Sequence, residues 1–349
     1  MKLIILIPAL NEEESLAGVL SRVPSTIGGI DEIETIVVDD GSTDGTRNVA
    51  LACGAHVISH PTNLGLGRAF SNGIDAALRR GADVIVNLDA DGQHPPENID
   101  ELIAPILAGR ADFTTATRFA HPELLPDMPK LKVFGNRMMA RLTGMACGRP
   151  FTDVACGFRA YSRLTAMKIN IFGTFTYTQE SLVDLHRKAL TMVEVPIVIR
   201  GVRQSGNSRI AHSVVRYGIR TVTILARAIR DRLPLTFFVT IGIILSVFGL
   251  ATELVVLGNF ILTGQTHPYQ SFTILGSVLL ILGAFSFLTA LLADMLGRVR
   301  ETQEQLLYMQ RRSYYDERSR EHVARMARSY DAAPGTAIAA KEGVPAGRQ

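Results

Sequence analysis

The feature that most constrains this chain is an alternation in its first half: short aliphatic runs, each closed by an acidic or polar turn, separated by stretches of helical character. LIILIPA precedes a helical stretch over 13–23, IETIVVDD one over 44–52 and AHVISH one over 67–80, and ADVIVNLDAD closes the series. Runs that are apolar at consecutive positions suit strands buried on both faces, and their alternation with helices predicts a mostly parallel sheet of α/β class. Ligands of such sheets gather at the carboxyl ends of the strands. Polar residues accumulate there: Asn11 and Glu12 after the first run, Asp39 and Asp40 after the second, Asp89 and Asp91 after the fourth.

Further along, two apolar stretches, 235–262 and 272–293, are each long enough to supply the ~20 residues of a spanning helix. Arg216, Arg220, Arg227, Arg230 and Arg232 precede the first stretch, Arg298, Arg300, Arg311 and Arg312 follow the second, and the intervening TGQTHPYQ has no lysine or arginine. The positive-inside rule then predicts an integral membrane protein with two transmembrane helices and with both flanks, the α/β part and the tail, in the cytoplasm. Residues 206–233 mix arginine with aliphatic residues, which suits amphipathic helices lying among anionic membrane lipids; a solvated basic helix packed on the globular part is the alternative. Glu253 sits awkwardly inside the first apolar stretch, either near the outer interface or facing a partner helix. The charged segment 297–330 reads as helical, and the Ala-, Gly- and Pro-rich end as disordered.

Composition agrees with a globular part joined to a short membrane part: 47% of the 349 residues are hydrophobic, with a mean hydropathy of +0.19. A net charge of +3 argues against a nucleic-acid partner. Cys53, Cys147 and Cys156 match no zinc or haem spacing and read as reduced cytoplasmic thiols. The apolar N-terminus is short, meets Pro8 and NEEE, and lacks a small-residue cleavage site, so it reads as a buried first strand.

The strongest chemical signal is NLDADGQH. Asp89 and Asp91 stand two apart, so on an extended segment their carboxylates share a face, where hard oxygen ligands suit Mg2+ or Mn2+ shared with a diphosphate. Two exposed aspartates in a plain turn are the bland alternative. In IVVDDGSTDGT, Asp40 is the better candidate for a nucleobase or ribose contact, and Asp44 reads as a helix N-cap. NLGLGRAFSNG places Gly65, Gly67 and Arg68 before a helix, where backbone amides can meet a phosphate or simply form a structural loop.

The ordered set IPALNEEESL, IVVDDGSTDGT, NLGLGRAFSNG, LDADGQHPP, TRF, FTDVACGFRAYS and VRQSGNSRI, followed by a membrane hairpin, resembles the family 2 glycosyltransferases of GT-A fold. Within them it is most similar to the dolichyl-phosphate mannose synthase and polyprenyl-phosphate glycosyltransferase branch. The resemblance runs motif by motif over 2–209. It implies a GT-A domain over 1–205, interfacial helices over 206–233, a two-helix transmembrane hairpin over 235–293 and a cytoplasmic tail over 294–349. It also implies inverting transfer of a sugar from a nucleotide-sugar (GDP-mannose or UDP-hexose type) to a polyprenyl phosphate.

By position, the resemblance implies that Pro8, Leu10, Glu12, Val38 and Asp40 line the nucleotide pocket. Asp89, Ala90, Asp91 and Gln93 hold metal and diphosphate, and Arg118, Arg203 and Arg209 face the phosphates of donor and acceptor. Asp153 matches a recurrent aspartate that orients the acceptor or acts as base; the alternatives are pairing with Arg159 or capping a turn. His94 fits either a supporting or a catalytic place. The chain departs from the mannose synthases at Leu10, where they usually show tyrosine, and at Arg209, where they usually show lysine. Near Val133 they carry an arginine for which Lys130 or Lys132 could substitute. These departures leave the donor base and sugar open.

A phosphate monoester has a second pKa of ~6 and is already an anionic nucleophile near pH 7, whereas a hydroxyl acceptor needs a base. Transfer to a hydroxylated lipid therefore stays open through Asp153. A processive polysaccharide synthase is the other alternative, but its usual QxxRW motif is missing from a chain with no tryptophan. Glu253 and the charged tail leave room for a homo-oligomer.

Overall fold

The computed structural model describes residues 1–126, 128, 130–171, 178–199 and 234–331. The strands are β1 (Lys2–Ala9), β2 (Glu32–Asp39), β3 (His56–Ser59), β4 (Val84–Asn87), β5 (Phe113–Thr117), β6 (Arg159–Ser162) and β7 (Met192–Pro196). They form one seven-stranded sheet in the order β3-β2-β1-β4-β6-β5-β7. All pairings are parallel except those of β6 with β4 and β5. The expected mostly parallel α/β sheet is therefore what the chain builds.

Side chains alternate across a strand, and β1 uses both faces. Ile4 and Leu6 join a core cluster with Phe70 and Ile74 of α3 (Leu66–Arg79) and Leu182 and Leu185 of α7 (Thr178–Arg187). Leu3, Ile5 and Ile7 join another with Leu16 of α1 (Glu13–Leu20), Ala50 of α2 (Thr46–Ala52) and Leu102 of α4 (Ile99–Leu107). The result is a helix–sheet–helix sandwich, completed on the first face by α5 (Lys130–Cys147) and α6 (Arg163–Lys168).

Strand order reverses between β1 and β4, the switch point at which open α/β sheets form a crevice. β6 runs antiparallel, with Arg159 in register with Asn87, so the segment leading into β6 arrives at the carboxyl ends of β4 and β5. That reversal carries Asp153 to the same rim as Asp89 and Arg118.

Two further helices follow, α8 (Pro234–Thr263) and α9 (Gln270–Asp331). Both are long and apolar enough to cross a membrane. Glu253 faces α9: its carboxylate accepts a hydrogen bond from Ser277 at 3.0 Å, beside Gly276. The charged segment 297–330, expected to be helical, is so, and it is continuous with the second apolar helix in one helix of 62 residues. The expected interfacial helices over 206–233 lie outside the described residues.

Candidate active site

The rim is assembled from the turns that follow β1, β2, β4 and β5. After β1, Asn11 takes a positive φ of 50°. Its amide donates to Ser42 Oγ at 2.9 Å and its side-chain oxygen accepts from the Thr43 amide at 2.8 Å. The adjacent Glu12 amide donates to Thr46 Oγ1 at 2.8 Å. The β1 and β2 turns are thus stitched together, which places Leu10 and Glu12 beside the strand that ends in Val38 and Asp39. Asp44 lies one position before the N-cap residue, Gly45, and accepts from the Thr46 amide at 3.0 Å in a local turn. Burial works to raise its pKa, but the bonds from Thr46 and the Glu13 amide prevail and hold it below the ordinary carboxylate range.

Asp40 is 4% exposed and has three protein donors. One oxygen takes His60 Nδ1 at 2.7 Å and the Leu64 amide at 2.9 Å; the other takes the Gly65 amide at 2.9 Å. Asn72 Nδ2 lies 2.9 Å from His60 Nε2; with Asn72 donating there, Nδ1 is the ring's donor to Asp40. Of the loop amides that could meet a phosphate or simply form a structural loop, that of Gly65 is taken by Asp40, as is that of Leu64, and the Asp40 carboxylate sits favourably at the N-terminus of α3.

After β4 the acidic pair lies in a turn with Gly92 at a φ of 74°, not on the extended segment expected from the sequence. Asp91 is buried and accepts from the Gln93 amide at 3.0 Å, while the Asp89 side chain is 38% exposed. The Asp89 amide donates to His94 Nδ1 at 3.3 Å, and the His94 ring stacks on Phe158 at 5.5 Å. With Nδ1 accepting from the Asp89 amide, His94 braces the turn. Gly157 leaves space for Asp89: a Cβ there would stand 2.8 Å from its Oδ2.

Among the described residues no group of three or more His, Cys, Asp or Glu forms a closed metal cage. One or two carboxylates with open positions are what a hard divalent ion shared with substrate phosphates requires, so the donors Asp89, Asp91 and Gln93 fit such an ion.

After β5, Arg118 grips Asp153 with two bonds, Nε to Oδ2 at 2.6 Å and Nη2 to Oδ1 at 3.0 Å. Asp153 is 0% exposed. Its expected alternative partner, Arg159, instead donates to the carbonyls of Cys156, Val154 and Thr178 and to Ser181 Oγ. Burial lowers the Arg118 pKa, but the bond and charge of Asp153, with Asp89 adding, raise it overall, so the guanidinium stays charged.

The family model described as glycosyl transferase family 2 matches residues 4–169. The polyprenol monophosphomannose synthase of Mycolicibacterium smegmatis is 31% identical over 223 residues, covering 61% of this chain and 82% of that one. The chain belongs to glycosyltransferase family 2. Two other relatives are similar to the chain at comparable identity. The undecaprenyl-phosphate mannosyltransferase of Micrococcus luteus is 30% identical, covering 64% of this chain and 93% of its own. The UDP-N-acetylglucosamine–dolichyl-phosphate N-acetylglucosaminyltransferase of Methanococcus voltae is 31% identical, covering 55% and 83%.

In this family 2 glycosyltransferase, Pro8, Val38, Asp40, Asp89, Ala90, Asp91, Arg118 and Asp153 come together at one end of the sheet. Arg203 and Arg209 lie outside the described residues, as does the Lys130 side chain; Lys132 is exposed. Sequence reasoning missed His60 and Asn72, and also Glu194, whose carboxylate accepts from the Thr152 and Asp153 amides and shapes the Asp153 loop. Nothing local marks these three, because their partners lie 12 to 42 residues away.

Proposed function

We propose that this glycosyltransferase moves a hexose from a nucleoside diphosphate-sugar to a polyprenyl phosphate at the cytoplasmic membrane face, with inversion at the anomeric carbon. The observation that carries this reading is the state of Asp153. The carboxylate best placed by sequence to serve as a base is fully buried and held at both oxygens by Arg118. A hydroxyl acceptor would need that base; a phosphate acceptor, anionic near neutral pH, needs cations and alignment instead.

Glu12, Val38 and the Asp40-braced loop hold the nucleotide. Asp89, Asp91 and Gln93 hold Mg2+ or Mn2+, which when bound neutralises charge on the diphosphate. Arg118, kept charged by Asp153, faces the phosphates from the β5 side of the same rim, and Arg203 and Arg209 complete the positive clamp on the acceptor. With α8 and the apolar half of α9 in the bilayer, the acceptor phosphate is presented at headgroup level while its chain stays in lipid.

The test offers purified protein a panel of nucleotide-sugars with either polyprenyl phosphate or the matching polyprenol, with and without chelator. Nucleoside diphosphate release is expected with the phosphate alone, lost on chelation and in Asp91→Ala. Equal turnover on polyprenol would reject the phosphate acceptor, and an unimpaired Asp91→Ala would reject the metal assignment.

A further inference from the structure

The far half of α9 does not trail away from the membrane hairpin; it returns to the catalytic domain along one face. Glu304 accepts two bonds from Arg187 of α7, at 2.6 and 2.8 Å. The Tyr308 ring lies 5.3 Å from Lys168 Nζ. Arg311 donates to the carbonyls of Met167, in the last turn of α6, and Ile169, just past it, and to Asn170 Oδ1, each at 3.1 Å. Tyr315 is 4% exposed, belongs to the core cluster with Phe70 and Ile74, and bonds to Asp75 of α3. Positions 304, 308, 311 and 315 are spaced four, three, four, the interval that keeps side chains on one stripe of a helix.

The helix is unbroken between the bilayer-length apolar segment and this stripe. At 1.5 Å per residue, Glu304 stands about 15 Å and Tyr315 about 32 Å beyond Asp294, where charge begins. A tether that only kept the enzyme near its membrane would need neither an unbroken helix nor a fixed docking stripe.

We propose that α9 is a rigid strut that sets the height and rotation of the catalytic domain over the bilayer, with Glu304, Arg311 and Tyr315 as its positioning residues. The activity part of the claim rests on the proposed transfer to a membrane-embedded polyprenyl phosphate; the height part does not.

The experiment inserts seven alanines after Gly297, where a Cβ meets nothing within 4 Å. Seven residues add about 10 Å of rise and return the stripe to within about 20° of its original facing. The full-length protein in liposomes is labelled at Cys53, the exposed one of three cysteines, and energy transfer to a headgroup dye reports height. The same protein is assayed with long-chain polyprenyl phosphate in the liposome and with a short, detergent-dispersed analogue.

The strut predicts a label about 10 Å farther from the dye and a roughly 10- to 100-fold loss on the embedded acceptor, with the short analogue turned over as by wild type. An unchanged dye distance would overturn the strut. Equal loss on both acceptors would also overturn it, since docking would then act through the integrity of the domain. Wild-type protein inert toward both acceptors would refute the proposed transfer, while the dye distance would still decide on the strut.

Discussion

Because Asp40 is held by three donors, loss of one should be felt at the nucleotide and hardly at the chemistry. His60→Ala removes the Nδ1 donor and strands Asn72; an unsatisfied buried partner costs about 1–3 kcal/mol, so the donor KM should rise roughly 5- to 150-fold with kcat little changed. His60→Asn, whose amide nitrogen falls near the lost Nδ1, should recover most of the effect. Steady-state kinetics with the nucleotide-sugar varied decides; a fall in kcat at constant KM would contradict the assignment. Gly157→Ala should instead displace the Asp89 carboxylate and raise the metal concentration needed for half-maximal rate. Asp44 gives the pH-dependent case. Its folded pKa lies below its ordinary 3.8, so its stabilisation is complete above that value and is lost as pH falls through the folded pKa. Asp44→Asn should therefore lower the apparent Tm at pH 7, and the two proteins should converge as the medium is taken below 3.8.

At the scale of elements, the hairpin is held by close approach. A Cβ on Gly276 would stand 2.6 Å from Thr252 Oγ1 and 2.7 Å from Glu253 Oε1, so Gly276→Leu should push α8 and α9 apart. An interhelical hydrogen bond in a bilayer is worth only ~0.6–2 kcal/mol, so Glu253→Gln, which keeps an acceptor for Ser277, should do far less damage. Cross-linking yield between cysteines placed on the two helices measures both; a milder effect from the leucine would show that the seam is not packing-limited. The existence of these helices was legible, since two stretches of spanning length and no lysine or arginine leave few choices. The partner of Glu253 was not, because facing depends on the register between two helices. The same logic separates what was legible in the sheet. β1, β2 and β4 announce themselves as apolar runs, whereas β6 is the four residues RAYS, and only pairing with β4 and β5 fixes its reversed direction. That reversal decides that Asp153 meets Arg118 and not Arg159. The unbroken α9 was hidden for another reason: composition changes sharply at Asp294, but a helix backbone need not break where its surroundings turn from lipid to water.

For the whole molecule, docking and membrane orientation constrain each other. By the positive-inside rule, the arginines before α8 and after the apolar half of α9 predict both flanks on one side. Independently, the Arg187–Glu304 and Asp75–Tyr315 contacts tie the far half of α9 to the catalytic domain, which is possible only if the helix leaves the bilayer on the domain's own side. Charge distribution alone can be outweighed by other topogenic signals, but a helix packed into the core of a folded domain cannot sit across a membrane from it. Reporter fusions at the C-terminus and within the loop at Thr266 should therefore report opposite compartments, with the C-terminal fusion on the cytoplasmic side. That outcome should persist when Arg298, which pairs with Asp294 one turn back and lies off the 304–315 docking stripe, is changed to Gln. If the orientation inverted on that change, charge would be its sole determinant and the docked helix would have no hold on topology; both reporters in one compartment would mean that the two apolar helices do not form a spanning hairpin.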